Sequence, residues 1–245
     1  MPTAFKLTTA KGLKSEIYVP WTPKPVWTPL TKPLSECKVA FITSGGIHKK
    51  DQTPFNTAGD WSYREIPSDT PSDQLMVTHG GFDNSDINKD VNAMLPIDRL
   101  RELVKEGFIG SLVPTFFGFM GGGGNVDKFE HVTGPEIAKK LKAEGADIVL
   151  ATGGCGTCHR SCTLVLRCCE AAGMSTCIIA ALPPIARQQG APRITAPLVP
   201  IGSNAGEPNN PQMQMGILKD TLNAMEEFDH FGQMKALPYE YRHNV

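Results

Sequence analysis

Short apolar runs, each closed by a turn and followed by a helical pattern, constrain this chain more than any other feature. Lys38–Thr43 ends at Ser44-Gly45-Gly46, Phe108–Phe117 at the glycines of 118–124, and Asp147–Thr152 at Gly153-Gly154. Thr176–Ala181 is a fourth run, and 75–77 and 195–201 read the same way. Between them, Ile97–Glu106, Gly134–Glu144, Cys158–Ala172 and Pro211–Phe228 carry the spacing of amphipathic helices, three of them stopped by or near a glycine. Near-continuous apolar strands are buried on both faces, and strands that alternate with helices of this length build a mostly parallel sheet. The expected fold is therefore α/β: a mostly parallel sheet with helices on both faces, three-layered in the Rossmann-like or flavodoxin-like manner. The glycine-rich stretch before residues 124–132 marks a boundary at which two similar lobes would divide.

Three segments follow from the punctuation. Residues 1–36 form an arm in which Pro20, Pro23, Pro25, Pro29 and Pro33 alternate with Trp21 and Trp27. Proline removes backbone donors and favours extended chain, so the arm is no interior strand or helix, and its tryptophans need cover from the body or a neighbouring subunit. Residues 37–228 form the α/β unit, and 229–245 a tail carrying Phe231, Tyr239 and Tyr241. With 24 basic and 25 acidic residues, the chain lacks the charge footprint of a nucleic-acid or membrane-surface protein. Its first twenty residues hold no apolar run of the secretory type, and no stretch reaches the ~20 apolar residues of a membrane helix. A cytoplasmic location is expected.

In that compartment clustered cysteines point to redox chemistry or metal rather than to structural disulfides. Thr152-Gly-Gly-Cys155-Gly-Thr-Cys158-His159-Arg160-Ser-Cys162 lies between a strand and a helix. Ligands bind beyond the carboxyl ends of strands in open α/β sheets. Gly153, Gly154 and Gly156, with Thr157, shape a tight loop, and a cysteine at a helix N-terminus is favoured as thiolate. Cys155 and Cys158 have the two-residue separation of a dithiol–disulfide couple: one attacks, the other resolves the adduct. Cys162 lies one helical turn on, with its role open. Structural zinc usually needs a second cysteine or histidine pair, which is not evident, so no metal is expected. Cys37, Cys168, Cys169 and Cys177 read as small buried hydrophobes.

Elsewhere, Asp86-x-Asn88-x-Asp90 has the start of a calcium loop but lacks its glycine and its bidentate glutamate. His79 follows a short strand and is either a structural histidine or a base or substrate contact; His159 carries the same ambiguity. Gly121–Gly124 meets neither phosphate-loop nor dinucleotide spacing. Gly202–Gly206 follows a strand and is placed to line the same crevice as Cys158.

Several stretches resemble the selenoprotein subunit of the glycine/sarcosine/betaine reductase and D-proline reductase family. They are Gly59–Pro67, His79–Asp90, Pro96–Leu103, Gly107–Gly110, Phe119–Gly121 and the cysteine loop. Length and the order of positions 155 and 158 are most like the D-proline branch; the glycine and betaine relatives place selenocysteine first. The resemblance implies a fermentative amino-acid reductase working with a pyruvoyl-bearing D-proline reductase subunit in a higher-order hetero-oligomer. The pyruvoyl group draws electrons from the Cα–N bond of D-proline. Residue 158 attacks the α-carbon, Cys155 resolves the adduct, 5-aminopentanoate leaves, and an external donor protein or dithiol restores the pair. No cofactor belongs to this chain itself beyond the selenocysteine expected at position 158, where this sequence has cysteine. The alternatives are a related glycine, sarcosine or betaine reductase component, and a metal-binding or structural partner protein.

Overall fold

The computed structural model describes residues 23–241, together with the backbone of two strands, β1 (Lys6–Ala10) and β2 (Leu13–Ile17). Those two pair antiparallel across Lys11-Gly12 as a sheet of their own, a hairpin inside what the prolines suggested was an extended arm. Both strands are free of proline, so each residue has an N–H to offer the ladder. Trp21 lies outside the described residues.

The body is built on one eight-stranded sheet. Its strands are β3 (Lys38–Thr43), β5 (Tyr63–Pro67), β7 (Ser111–Leu112), β8 (Thr115–Phe119), β9 (Ile148–Thr152), β10 (Ser175–Ile179), β11 (Arg193–Leu198) and β12 (Gln233–Glu240). The order is β12-β11-β10-β9-β3-β8-β5, with β7 also on β3. Every pairing is parallel except β5 on β8. A small antiparallel pair, β4 (Ile47–Lys49) with β6 (Leu75–Val77), stands beside it. The helices are α1 (Ser85–Lys89), α2 (Ile97–Lys105), α3 (Val126–Lys128), α4 (Gly134–Ala143), α5 (Gly156–Ala171), α6 (Pro183–Gln188) and α7 (Pro211–Glu227). α4 packs against α5, and α2 against α7, giving the three-layer α/β arrangement. All residues of β9 and β10 are buried, as their unbroken apolar character demands.

Three expectations change. Strands from both sides of residues 124–132 hydrogen-bond to one another, β3 lying between β8 and β9, so no pair of lobes divides there. The run Phe108–Phe117 is two strands rather than one, because Pro114 has no N–H to give the ladder; residues 108–110 instead turn off α2, with Phe108 N–H donating to Leu103 O. Residues 233–240 of the tail are an edge strand, parallel to β11. Tyr239 OH donates to Asp220 and Tyr241 OH to Asp86, so these tail aromatics are tied to the chain's own body.

The arm is clamped as well. Arg193 and Glu170 form a fully buried ion pair at 2.9 Å. Glu170 Oε1 accepts from Thr28 N–H, and Thr28 O accepts from Arg193 Nη2. The Arg193 guanidinium lies 3.6 Å from the Trp27 ring centroid. Trp27 is thus covered by its own chain.

Candidate active site

The parallel strands end together, and the site forms at that edge between β3 and β9. Thr43 and Thr152, the last residues of the two strands, are joined side chain to side chain at 2.9 Å. Gly153 and Gly154 then turn the chain into α5, which begins at Gly156, two residues earlier than the apolar pattern indicated. Cys155 is therefore the cap and Cys158 sits in the first turn. Two short glycine contacts close the space around Cys158. A Cβ on Gly121 would lie 2.8 Å from Cys158 Cα and 2.0 Å from Ser161 Oγ, and one on Gly154 would lie 2.7 Å from the Phe82 ring. The loop after β8 is thus a packed wall, anchored below by Phe119 against Phe129 at 5.3 Å.

The two sulfurs are 3.3 Å apart. Cys158 is fully buried, whereas Cys155 is partly exposed and lines a cleft of about 270 Å³ with Thr57, His79, Met120 and Thr157. His79 reaches the same spot from the loop after β6: its Nε2 lies 2.9 Å from Cys158 Sγ. Gly81 N–H donates to His79 Nδ1 at 2.8 Å, so Nδ1 bears the lone pair and Nε2 the proton, an assignment from the hydrogen-bond network. The ring leans on Phe82 at 4.5 Å.

The electrostatics separate the two cysteines. The hydrogen bond shared with Cys158, aided by His79 and the Cys158 backbone N–H, lowers Cys155 to about 4 against the burial that opposes it. Burial pushes Cys158 well above the usual thiol range, and the negative charge on Cys155 adds to this. The pair shares one proton. The lowered member is Cys155, the sulfur nearer water, and His79 Nε2–H faces Cys158 Sγ, which is in hydrogen-bond contact with Cys155 Sγ.

A labelling experiment follows. Iodoacetamide modifies Cys155 first, at a rate already flat between pH 6 and 9. The rate falls about tenfold per unit below pH 4, where the thiolate is protonated. Mass-spectrometric mapping over pH checks it; a rise centred near the ordinary cysteine value of ~8.5 is the contrary result.

The other expected site residues divide. His159 is buried, with Nδ1 against Cys155 O at 3.0 Å and Nε2 accepting from Leu182 N–H at 3.1 Å. Both ring nitrogens thus serve the backbone, and the ring braces the loop rather than facing the cleft. Cys162 is buried, donates to Thr152 O, and is raised to about 12 by burial. Cys37 and Cys168 are raised to about 11 and Cys177 to about 12, and Cys169 is raised well above the usual thiol range, each chiefly by burial. Residues 202–206 do lie by the loop: Asn204 Nδ2 donates to Gly153 O and Ile179 O. Phe82, Gly121 and Asn204 had no assigned part from their residue types alone; the glycine-rich turns after β8 and β11 were the available signal.

Among the described residues His79, Cys155 and Cys158 form the one group whose ligand atoms all approach one another, within 4.8 Å. A metal-bound histidine donates its other ring N–H to an acceptor. Here Gly81 presents a donor to that nitrogen, which orients a proton, not a lone pair, toward the sulfurs.

The sequence profile of the glycine/sarcosine/betaine reductase selenoprotein B family matches residues 6–154. The chain belongs to that family. It is 57% identical to the D-proline reductase subunit gamma of Acetoanaerobium sticklandii, over 96% of this chain and 97% of that one. It is 34% identical to the glycine reductase complex component B subunit gamma of Carboxydothermus hydrogenoformans over 86% of this chain. Against the sarcosine reductase complex component B subunit beta of Peptoclostridium acidaminophilum it is 32% identical over 74%. The chain spans 50% and 42% of these two longer relatives. No solved structure matches it. The family's members named here are reductase components, which makes this chain an oxidoreductase subunit of a multi-subunit reductase. No helix among the described residues is long and apolar enough to cross a membrane.

Proposed function

We propose that this chain is the chalcogen-bearing catalytic subunit of a cytoplasmic D-proline reductase, which opens the ring of D-proline to 5-aminopentanoate. The observation that carries this reading is the similarity to D-proline reductase subunit gamma over nearly the whole of both chains. The paired sulfurs beside an open cleft support it.

The electron count closes with the two side chains. The sulfur of residue 158 bonds to the α-carbon as the Cα–N bond breaks, and nitrogen takes the electron pair and a proton. Cys155 attacks that sulfur, the C–S pair stays with carbon together with a second proton, and a disulfide remains. Substrate gains two electrons and two protons, and the dithiol loses them. An external dithiol or donor protein then reduces the disulfide. The sulfurs need to close by only ~1.3 Å to reach bonding distance.

Two groups implied by the family bear on this. Selenocysteine fits position 158, whose surroundings are glycine-lined with Cys155 and His79 at hand; it would supply a stronger nucleophile that ionises more readily. A pyruvoyl group on a partner subunit would supply the electron pull on the substrate's Cα–N bond. The cleft suits a substrate presented on such a partner, since Cys155 and Thr157, both partly exposed, line it.

The test is turnover of the chain reconstituted with a pyruvoyl-bearing partner and excess dithiothreitol. D-Proline is expected to give 5-aminopentanoate, while glycine, sarcosine and betaine give no product. Turnover of any of those three in place of D-proline assigns the chain to the other branch, and stoichiometric zinc in the purified chain would favour a metal-binding role.

A further inference from the structure

We infer that His79 is a catalytic residue of this chain, a fixed hydrogen-bond donor whose Nε2–H holds the negative charge of the residue-158 chalcogen when it attacks and when reduction releases it. The inference rests on the proposed dithiol chemistry and concerns a group that chemistry does not itself require.

The argument is one of direction. An imidazole beside a thiol is usually read as a base, with a lone pair on the nitrogen nearest sulfur. That tautomer would place N–H on Nδ1, head-on to the Gly81 N–H that lies 2.8 Å away. The opposite tautomer satisfies both ring nitrogens: Gly81 donates to Nδ1, and Nε2–H donates to Cys158 Sγ at 2.9 Å. Several features hold the ring there. Asn84 Nδ2 donates to the His79 carbonyl, Phe82 lies against the ring, and a Cβ on Gly81 would come within 2.9 Å of His79 Cε1. His79 is buried, so water does not compete for the donor. The polar groups facing the Cys158 sulfur are Cys155, His79 and the backbone amides of Cys155 and Gly121. Of these His79 is the side-chain N–H, and with the amides of Cys155 and Gly121 it makes a set of donors aimed at a buried anion at 158. A charge that appears there twice per cycle, in attack and on release from the disulfide, meets the same preorganised donor both times.

The test uses the free chain first, so it stands whatever the substrate proves to be. With Cys155→Ser as background, residue 158 is titrated by its ultraviolet thiolate absorbance. Its midpoint is compared in the background chain, His79→Gln and His79→Phe. Phenylalanine fills the space without a donor; glutamine offers an N–H. The midpoint is expected to rise by about one to two pH units with phenylalanine, the size of a hydrogen bond to a charged group, and to be partly restored with glutamine. Nitrogen-15 NMR of the imidazole should show the Nε2–H tautomer at pH 7. Equal midpoints in all three chains, or an Nδ1–H tautomer, overturn the inference. In the reconstituted complex, His79→Phe with Cys155 intact should lower kcat at least tenfold with little change in KM. A loss confined to KM would make His79 a substrate contact instead.

Discussion

Selenocysteine in place of Cys158 should raise turnover of the reconstituted complex by tenfold or more, and Cys158→Ser should abolish it. The difference is set by burial. Cys158 is fully enclosed, and removal from water, reinforced by the charge on Cys155, keeps its proton in place. Each pKa unit above the working pH removes about nine-tenths of the thiolate, which is the attacking species. A selenol releases its proton more readily, so selenium at 158 would draw the charge inward from Cys155 to the position proposed for attack. Serine cannot enter a disulfide, so even one turnover fails; loss of an activated nucleophile costs roughly 10³-fold or more. A third chain separates attack from resolution. In Cys155→Ser, attack at 158 survives but the adduct is stranded, giving a single stoichiometric burst that mass spectrometry detects on residue 158. Steady turnover without Cys155 would show that its sulfur does not resolve the adduct.

Arg193→Ala should be the most destabilising single change outside the site. Arg193 and Glu170 are both fully buried, and removal of one partner strands the other. Breaking such a pair costs about 3–5 kcal/mol, a large share of the ~5–15 kcal/mol that holds a domain together. The loss is wider than one ion pair, because Arg193 also donates to Thr28 O and Thr176 O and covers Trp27. Burial already raises the Glu170 carboxyl, with Arg193 the main opposing influence. Without Arg193 the folded state holds the proton still more tightly than the unfolded chain does. Stability of the variant should therefore increase as pH falls from 8 to 5. Urea unfolding at both values reads this; a midpoint within error of the parent chain, or a variant more stable at pH 8, refutes it. Arg193→Ala with Glu170→Gln should recover part of the loss, since no buried charge remains.

These two regions differ in how far the amino-acid order revealed them. The α/β layering and the cysteine loop were legible because both rest on local pattern: apolar runs fix buried strands, and glycines after a strand fix a turn into a helix. The start of α5 followed to within two residues, Gly156 where the pattern indicated Cys158. What stayed hidden depends on approach between distant segments. His79 lies 79 residues from Cys158, and only the folding of the β6–α1 loop across the sheet edge brings them to 2.9 Å. The tautomer that decides its role comes from one backbone amide, which no residue type encodes. Likewise, β12 joins β11 although its alternating burial resembles an ordinary surface tail. The split of β7 from β8 was available in principle from Pro114, which the surrounding phenylalanines and valine masked.

The arm clamp has a consequence for synthesis. Thr28 is made early, yet its partners Glu170 and Arg193 come 142 and 165 residues later. A growing chain on the ribosome therefore holds Thr28 without either partner until more than three-quarters of the protein has emerged. Closing so long a loop is entropically slow and comes late in folding. A chain that ended at position 158 would have neither partner, nor strands β10 to β12, and its N-terminal segment would stay open to proteases.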